Sequence, residues 1–104
     1  MHARTIQASI VPGKVDEALA LYRDEILPVL RTMPGYVSTT VMVDRDDHRA
    51  LVSTVWDSQE AAEATGEGSE YLNRMLSHVR FVLVSRDIHH WDVPIADRAT
   101  SAGE

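Results

Sequence analysis

The side chains best suited to chemistry in this chain are a tryptophan, a histidine and two tyrosines. Trp56 ends a run of apolar, β-branched residues and is followed at once by a helix signal. His78 stands at the end of an amphipathic segment, and Tyr22 and Tyr71 occur among apolar residues at helical spacing. An indole can wall a cavity, and an imidazole with a pKa of about 6.5 can accept a proton near neutral pH. These residue types suit a site that binds an aromatic ring and removes a proton from a hydroxyl group on that ring.

Each of these residues also has a purely structural interpretation. Trp56 can fill the core, and a buried phenol such as that of Tyr22 or Tyr71 can simply bond a backbone group. His78 at a helix C-terminus is favoured by the helix dipole. The sequence leaves both interpretations open.

The other polar clusters do not predict a metal site. His89 and His90 are adjacent in a predicted strand, where successive side chains point to opposite faces. The chain has no cysteine, and no third ligand is evident near this pair. Asp87, His89 and Trp91 share one face of this strand. Two interpretations are open: Asp87 orients His89 as a general base, or the three residues contact a partner subunit. We therefore expect no metal and no other resident cofactor.

Composition limits the partners. The 104 residues include 16 acidic and 10 basic ones, so the net charge is −6, and the basic residues are scattered. Neither nucleic acid nor an anionic membrane surface is an expected partner. No apolar run reaches membrane-spanning length, and we expect a cytoplasmic protein. The length predicts one domain over 1–104, with a core at 4–93 and a small, polar tail at 96–104.

The periodicity of apolar residues predicts the elements. Pro28 lies inside the first helix and removes a backbone donor, so a kink or a loosened turn is expected there. Asp57 and Glu60 have the spacing of a capping box and predict the start of the second helix. The predicted strands are 4–11, 36–44, 49–56 and 81–93, and the predicted helices are 14–33, 57–65 and one that begins near 69.

This order predicts an α+β fold of the ferredoxin-like, split βαβ type, with helices on one face of an antiparallel sheet. The later strands are apolar on both alternating positions, so the open face needs a cover. A second copy of the chain is the economical cover, and we expect a homodimer.

Four segments of the chain are specific enough to compare with known families: Pro12-Gly13-Lys14, the stretch 22–28, Met33-Pro34-Gly35-Tyr36 and the stretch 55–61. In these segments the chain resembles antibiotic biosynthesis monooxygenase domains. The resemblance implies a dimeric α+β barrel. Members of that family include oxygenases that act on aromatic polyketides or quinols without metal or flavin, haem-degrading enzymes, and proteins with no assigned reaction.

The resemblance carries over only part of a binding pocket. Trp56 matches the pocket tryptophan of the polyketide oxygenases, whereas their asparagine falls on Val52 and their tyrosine on Ala62. Their arginine falls near Asn73, with Arg74 beside it. The residues typical of the haem-degrading members are mostly absent, so haem degradation is not expected.

These observations lead to two hypotheses. The first is a cofactor-independent monooxygenase for a small aromatic, phenolic or quinol substrate, in which Trp56 walls the ring and His78 is the base. Arg86 or Arg80 would hold the resulting anion. The second is a non-enzymatic dimer that binds a small apolar molecule. The expected cavity lies between sheet and helices and is lined by Ile6, Tyr22, Val52, Trp56, Tyr71, Met75 and His78.

Overall fold

The computed structural model describes residues 1–65, 69, 70, 73, 74, 77, 83–97 and 99. The four strands are β1 (His2–Ile10), β2 (Tyr36–Asp44), β3 (Arg49–Trp56) and β4 (Leu83–Asp92). They form one antiparallel sheet in the order β2-β3-β1-β4. The expected α+β, split βαβ architecture is confirmed, because β3 and β4 flank β1 and the hairpin partner β2 lies at the edge.

The first helical region is continuous but changes type. It consists of α1 (Val15–Leu21), a π-helical turn (Tyr22–Ile26) and α2 (Leu27–Leu30). Pro28 lies two residues after the last residue of the π turn, and its missing N–H explains why regular α-helical bonding loosens there. The predicted loosening is therefore present. The helix also ends earlier than expected, because the amides of Thr32 and Met33 bond carbonyls three residues back.

The start of the next helix corrects the predicted cap. Helix α3 (Gln59–Ala64) is capped by Ser58, whose hydroxyl accepts a hydrogen bond from the Ala61 amide at 3.1 Å. The predicted cap at Asp57 is wrong, because the Asp57 amide donates to the Gly35 carbonyl at 2.8 Å. That bond ties Asp57, the residue after β3, to Gly35, the residue before β2. The helix therefore begins one residue later than predicted.

The helices cover one face of the sheet. Register pairs Ile6 with Val52 and His2 with Trp56, so these four residues share a face. The main core cluster on this face contains Ile6, Ile26, Leu30, Trp56 and Ala62. The expectation from strand alternation that Ile6 and Trp56 lie on the same side is therefore correct.

The opposite face carries large apolar side chains that the chain itself leaves exposed. They are Val37, Met42, Leu51 and Trp91, each between 36% and 50% exposed.

Among the described residues, no helix is both long and apolar enough to cross a membrane.

Two glycines with positive φ provide a matched test of packing. Gly35 (φ +81°) and Gly13 (φ +85°) both adopt the left-handed region, where alanine is strained by about 1–2 kcal/mol. A Cβ on Gly35 would lie 2.6 Å from both the Ala61 Cβ and an Asp57 carboxylate oxygen, whereas a Cβ on Gly13 would meet nothing within 4 Å. Gly35 is thus required twice, by its backbone conformation and by its contact with α3.

We expect Gly35→Ala to lower the free energy of unfolding by about 1–3 kcal/mol more than Gly13→Ala, because overpacking adds to the shared backbone strain. Urea unfolding of both variants measures the difference. Equal losses would show that α3 does not pack against this turn as described.

Candidate ligand-binding site

The site centres on Trp56, at the point where β3 leaves the sheet. Its side chain is 0% exposed, and the ring of Tyr36 meets it edge-on at a centroid distance of 5.7 Å. No described residue accepts a hydrogen bond from the indole Nε1, although this atom is buried. A buried donor without an acceptor costs roughly 1–3 kcal/mol, so the indole N–H is a place where a ligand acceptor would be stabilising.

Arg4 lies on β1, beside Trp56 of the neighbouring strand β3. Its guanidinium carbon is 5.9 Å from the centre of the indole ring, and the residue is 2% exposed. Nη1 donates hydrogen bonds to the Thr65 carbonyl at 2.6 Å and the Thr65 hydroxyl at 2.8 Å, with the Ala62 carbonyl at 3.4 Å. A cation is therefore held inside the layer between sheet and helices.

Tyr22 brings a phenol to the same face from the π turn. It is hydrogen-bonded to the side chain of Thr54, the residue that pairs with Arg4 in the sheet. Burial raises the pKa of Tyr22 to about 12, against the opposing effects of the Thr54 hydrogen bond and the Arg4 charge. Tyr22 therefore keeps its proton at neutral pH.

Further hydroxyl groups lie between Thr54 of β3 and the edge strand β2. The Tyr36 hydroxyl donates to the Thr39 hydroxyl at 2.8 Å, and Thr39 Oγ1 lies 3.5 Å from Thr54 Oγ1. Trp56, Arg4 and these phenol and threonine hydroxyls place donors and a positive charge next to an aromatic wall. Such an arrangement suits a flat ring that carries oxygen atoms.

A cleft of about 390 Å³ adjoins the site where β2 meets α3. It is lined by Met33, Pro34, Gly35, Asp57, Ser58, Glu60, Ala61, Ala64 and Thr65. Thr65 links the two regions, because it also accepts the hydrogen bonds of Arg4. The volume is within the range of small-molecule sites.

Comparison with known proteins places this fold in a family. The sequence profile described as "Antibiotic biosynthesis monooxygenase" matches residues 1–73, which is more than half of the chain. The chain belongs to the antibiotic biosynthesis monooxygenase family. The resemblance inferred from the sequence is thereby confirmed.

Two sequence relatives come from Mycobacterium tuberculosis strain H37Rv, and both are uncharacterized proteins. One is 28% identical over 98 residues, which cover 94% of this chain and 41% of the relative. The other is 28% identical over 67 residues, which cover 64% of this chain and 30% of the relative. The chain thus spans about two fifths or less of the length of these relatives.

Solved structures with the same fold include a monooxygenase of Streptomyces coelicolor in complex with nanaomycin D. It is 13% identical, with a TM-score of 0.78, and the match covers 95% of this chain and 92% of that one. A Deinococcus radiodurans protein assigned to the same family is 14% identical, with a TM-score of 0.77 and coverage of 97% and 100%. At this level of identity the likeness shows the shared fold.

Within this family member, the structure brings together four of the expected pocket residues. Ile6 and Trp56 are in the core cluster, and Tyr22 and Val52 pack against it. The other expected residues lie outside the described part of the chain: Tyr71, Met75, His78 and Arg80.

Arg86 and the histidines of β4 occupy defined faces. Register places Arg86 opposite Ala8 and His90 opposite Arg4, on the helix-covered side, whereas His89 is on the open side. Arg86 is exposed. The described residues contain no group of three or more His, Asp or Glu side chains able to hold a metal ion.

Asp87, His89 and Trp91 share the open face, as the alternation predicts, and this is the side of the sheet opposite Trp56. The indole Nε1 of Trp91 donates to the Thr5 hydroxyl at 2.7 Å, and the rings of His89 and Trp91 meet edge to face. These residues are therefore separate from the candidate site.

Sequence reasoning missed Arg4. A signal was present, because Arg4 has the same strand parity as Ile6 and the other inward residues of β1, Ala8 and Ile10. A charged residue at an inward position of a central strand is unusual and points to a buried polar group with a specific partner.

The raised pKa of Tyr22 makes stability pH-dependent at alkaline pH. Tyr22 ionises near pH 10 when unfolded and near pH 12 when folded, so its stabilising contribution is complete below pH 10 and is lost as the pH rises through 12. We expect the free energy of unfolding to fall by about 2–3 kcal/mol across this window on account of Tyr22 alone.

The measurement is urea unfolding of wild type and Tyr22→Phe from pH 9 to 12. The difference between the two proteins should be constant below pH 10 and shrink above it. A constant difference over the whole range would contradict the burial of this phenol.

Proposed function

We propose that this family member is a monooxygenase that oxygenates a small phenol or quinol, with the substrate itself as the reductant and without a resident metal, flavin or haem. The observation that carries the proposal is the buried indole N–H of Trp56, which has no acceptor among the described residues and lies beside the Arg4 cation. A ring oxygen of the substrate would accept this hydrogen bond.

Oxygen reacts slowly with closed-shell molecules unless an electron-rich anion supplies the first electron. Removal of the phenolic proton produces such an anion, and a site that excludes water stabilises it with fixed donors. One oxygen atom is then inserted at a ring carbon, and the other leaves as water with the hydrogens of that carbon and the hydroxyl. The four electrons that this requires all come from the substrate, which becomes a quinone.

The direct test is oxygen uptake by chelator-treated protein with a panel of hydroquinones and anthrones. We expect turnover with at least one of them. Activity that is lost on chelation and restored by added metal would contradict the cofactor-free mechanism.

Trp56→Phe separates the hydrogen bond from the aromatic wall. The variant keeps a ring against the substrate but lacks the N–H, so we expect substrate binding to weaken on the order of tenfold, which corresponds to one net hydrogen bond. Trp91→Phe is the matched control, because it removes the other indole N–H of the chain, which bonds Thr5 on the opposite face of the sheet and should leave substrate binding unchanged. Equal binding by Trp56→Phe and wild type would rule out the indole as a donor.

His78 remains the proposed base. The proposal rests on its place at the end of the predicted helix and on the ordinary pKa range of an imidazole. Positioned proton transfer contributes about 10² to 10⁴ in rate, so His78→Ala should lower turnover by that order with little change in substrate affinity. Turnover unchanged in this variant would remove His78 from the mechanism.

A second candidate function has its own support. Val52 lies on the sheet face that holds Trp56, and Ala62 of α3 is fully buried in the same core cluster, and both are apolar. A dimer that binds a small apolar molecule without converting it fits these residues. Tight binding of hydroquinones with no oxygen uptake would favour this function over catalysis.

We also propose that the protein is a homodimer joined through the open face. The exposed side chains of Val37, Met42, Leu51 and Trp91 form an apolar surface of the kind that a partner covers. Leu51→Lys should convert the dimer to monomer in sedimentation experiments. Glu25→Lys, on the helix side, is the control, and a wild-type monomer at micromolar concentration would overturn the proposal.

A further inference from the structure

Trp91 is an exposed aromatic side chain that its neighbours hold in one orientation. It is 50% exposed on the open face of the sheet. Its indole N–H donates to the Thr5 hydroxyl at 2.7 Å, and the His89 ring meets it edge to face at a centroid distance of 5.6 Å. A ring that is already fixed loses little conformational entropy when a partner covers it, and tryptophan is enriched among the residues that dominate binding at protein interfaces. Trp91 therefore has the properties of an anchor for a partner.

The same face carries two adjoining hollows. One has a volume of about 340 Å³ and is lined by Gln7, Ala8, Ser9, Arg49, Arg86 and Asp87. The other has a volume of about 350 Å³, shares Gln7 and Arg49 with the first, and extends to Met42 and Leu51. Register and alternation place Gln7, Arg49 and Asp87 on the side of the sheet that holds Trp91.

The anchor and the hollows lie at different heights along the strands. Three rows of paired residues run across the open face. The anchor row is Val55, Ala3 and Trp91; the middle row is Thr40, Ser53, Thr5 and His89; the hollow row is Met42, Leu51, Gln7 and Asp87. The anchor row and the hollow row are four residues apart on each strand, which is about 14 Å at roughly 3.4 Å per residue.

These rows decide how two copies of the face fit together. Packed sheets keep their strands within about 30° of each other, so a two-fold axis between two copies runs nearly along the strands or nearly across them. An axis along the strands sets each row on itself and β4 over the partner's β2, so Trp91 meets the end of β2 where Val37 is also exposed. An axis across the strands, along the middle row, sets the anchor row on the hollow row.

We propose that two copies of this chain join through their open faces about a two-fold axis across the strands, so that Trp91 of each copy fills the hollow beside Gln7, Arg49 and Asp87 of the other. This inference rests on the homodimer proposed above and names its anchor and its arrangement. In this arrangement Val55 also faces Leu51 of the second copy, and Arg49 provides a cation close to the inserted indole. The hydroxyl groups of the middle row face their own counterparts, where each can donate and accept.

Single cysteines test the arrangement, because the natural chain has none. Val55→Cys and Leu51→Cys are each confirmed as dimers by sedimentation and are then treated, separately and after subunit exchange in a mixture, with a bis-maleimide that spans about 10 Å, the spacing of packed sheets. We expect cross-linked dimer in the mixture and little in either protein alone, since each of these residues is displaced by about 14 Å along the strands from its own counterpart. Efficient cross-linking of each protein alone would indicate an axis along the strands and would overturn the proposal.

Trp91→Ala tests the anchor. Loss of an interface hot spot should raise the dissociation constant of the dimer at least about thirtyfold in sedimentation experiments. Trp91→Phe keeps a ring and should fall between this variant and wild type. Ile95→Ala is the matched control, because Ile95 is a large, exposed apolar residue outside the three rows and the hollows, and it should leave the dissociation constant unchanged.

The outcomes separate this inference from the ones on which it rests. A wild-type monomer at micromolar concentration would overturn the homodimer and this arrangement together. A dimer that Trp91→Ala leaves intact would overturn the arrangement alone. If Trp91→Ala fails to fold, the cross-linking pattern still decides, because both cysteine variants keep Trp91. None of these results bears on the oxygenase reaction, which oxygen uptake tests separately.

Discussion

The hydrogen bonds from the Arg4 guanidinium to Thr65 and Ala62 are the interaction on which the site depends. They join the central strand to the last carbonyls of α3, across the layer that also holds Trp56. Carbonyl oxygens at a helix C-terminus are suitable acceptors for a cation, because the helix dipole places partial negative charge there. Since α3 follows β3 after a short cap, this link also fixes the position of the strand end that carries the indole.

The first helical region supplies the opposite wall. Its π turn begins at Tyr22 and ends just before the segment containing Pro28, so the local irregularity and the buried phenol occur together. π turns are frequent at functional sites, and here the turn sets a tyrosine against the Thr54 side chain. Ile26 and Leu30, one and two turns later, anchor the region in the core.

Most of the fold could be predicted from the sequence, because alternation in the strands and the Pro-Gly breaks are strong local signals. The two strands of the hairpin match their predicted bounds, 36–44 and 49–56. The site was harder to predict, because its polar members depend on contacts between distant segments. Arg4 stands at the start of a strand, where a charge is easily taken as solvent-exposed, and the cap at Ser58 depends on the amide of Asp57 bonding Gly35.

The two tryptophans of the chain show how the faces of the sheet differ. Trp91 is half-exposed on the open face, where water could satisfy its indole, yet its N–H is bonded to Thr5. Trp56 is fully buried, and its N–H has no acceptor among the described residues. Stability alone would favour the opposite arrangement, in which the buried indole of Trp56 is hydrogen-bonded and the exposed indole of Trp91 is not. The reason is that a donor without an acceptor costs more free energy in the interior than at the surface. The unmet donor therefore lies on the enclosed face beside a cation, which is where a bound oxygen atom would gain most from both.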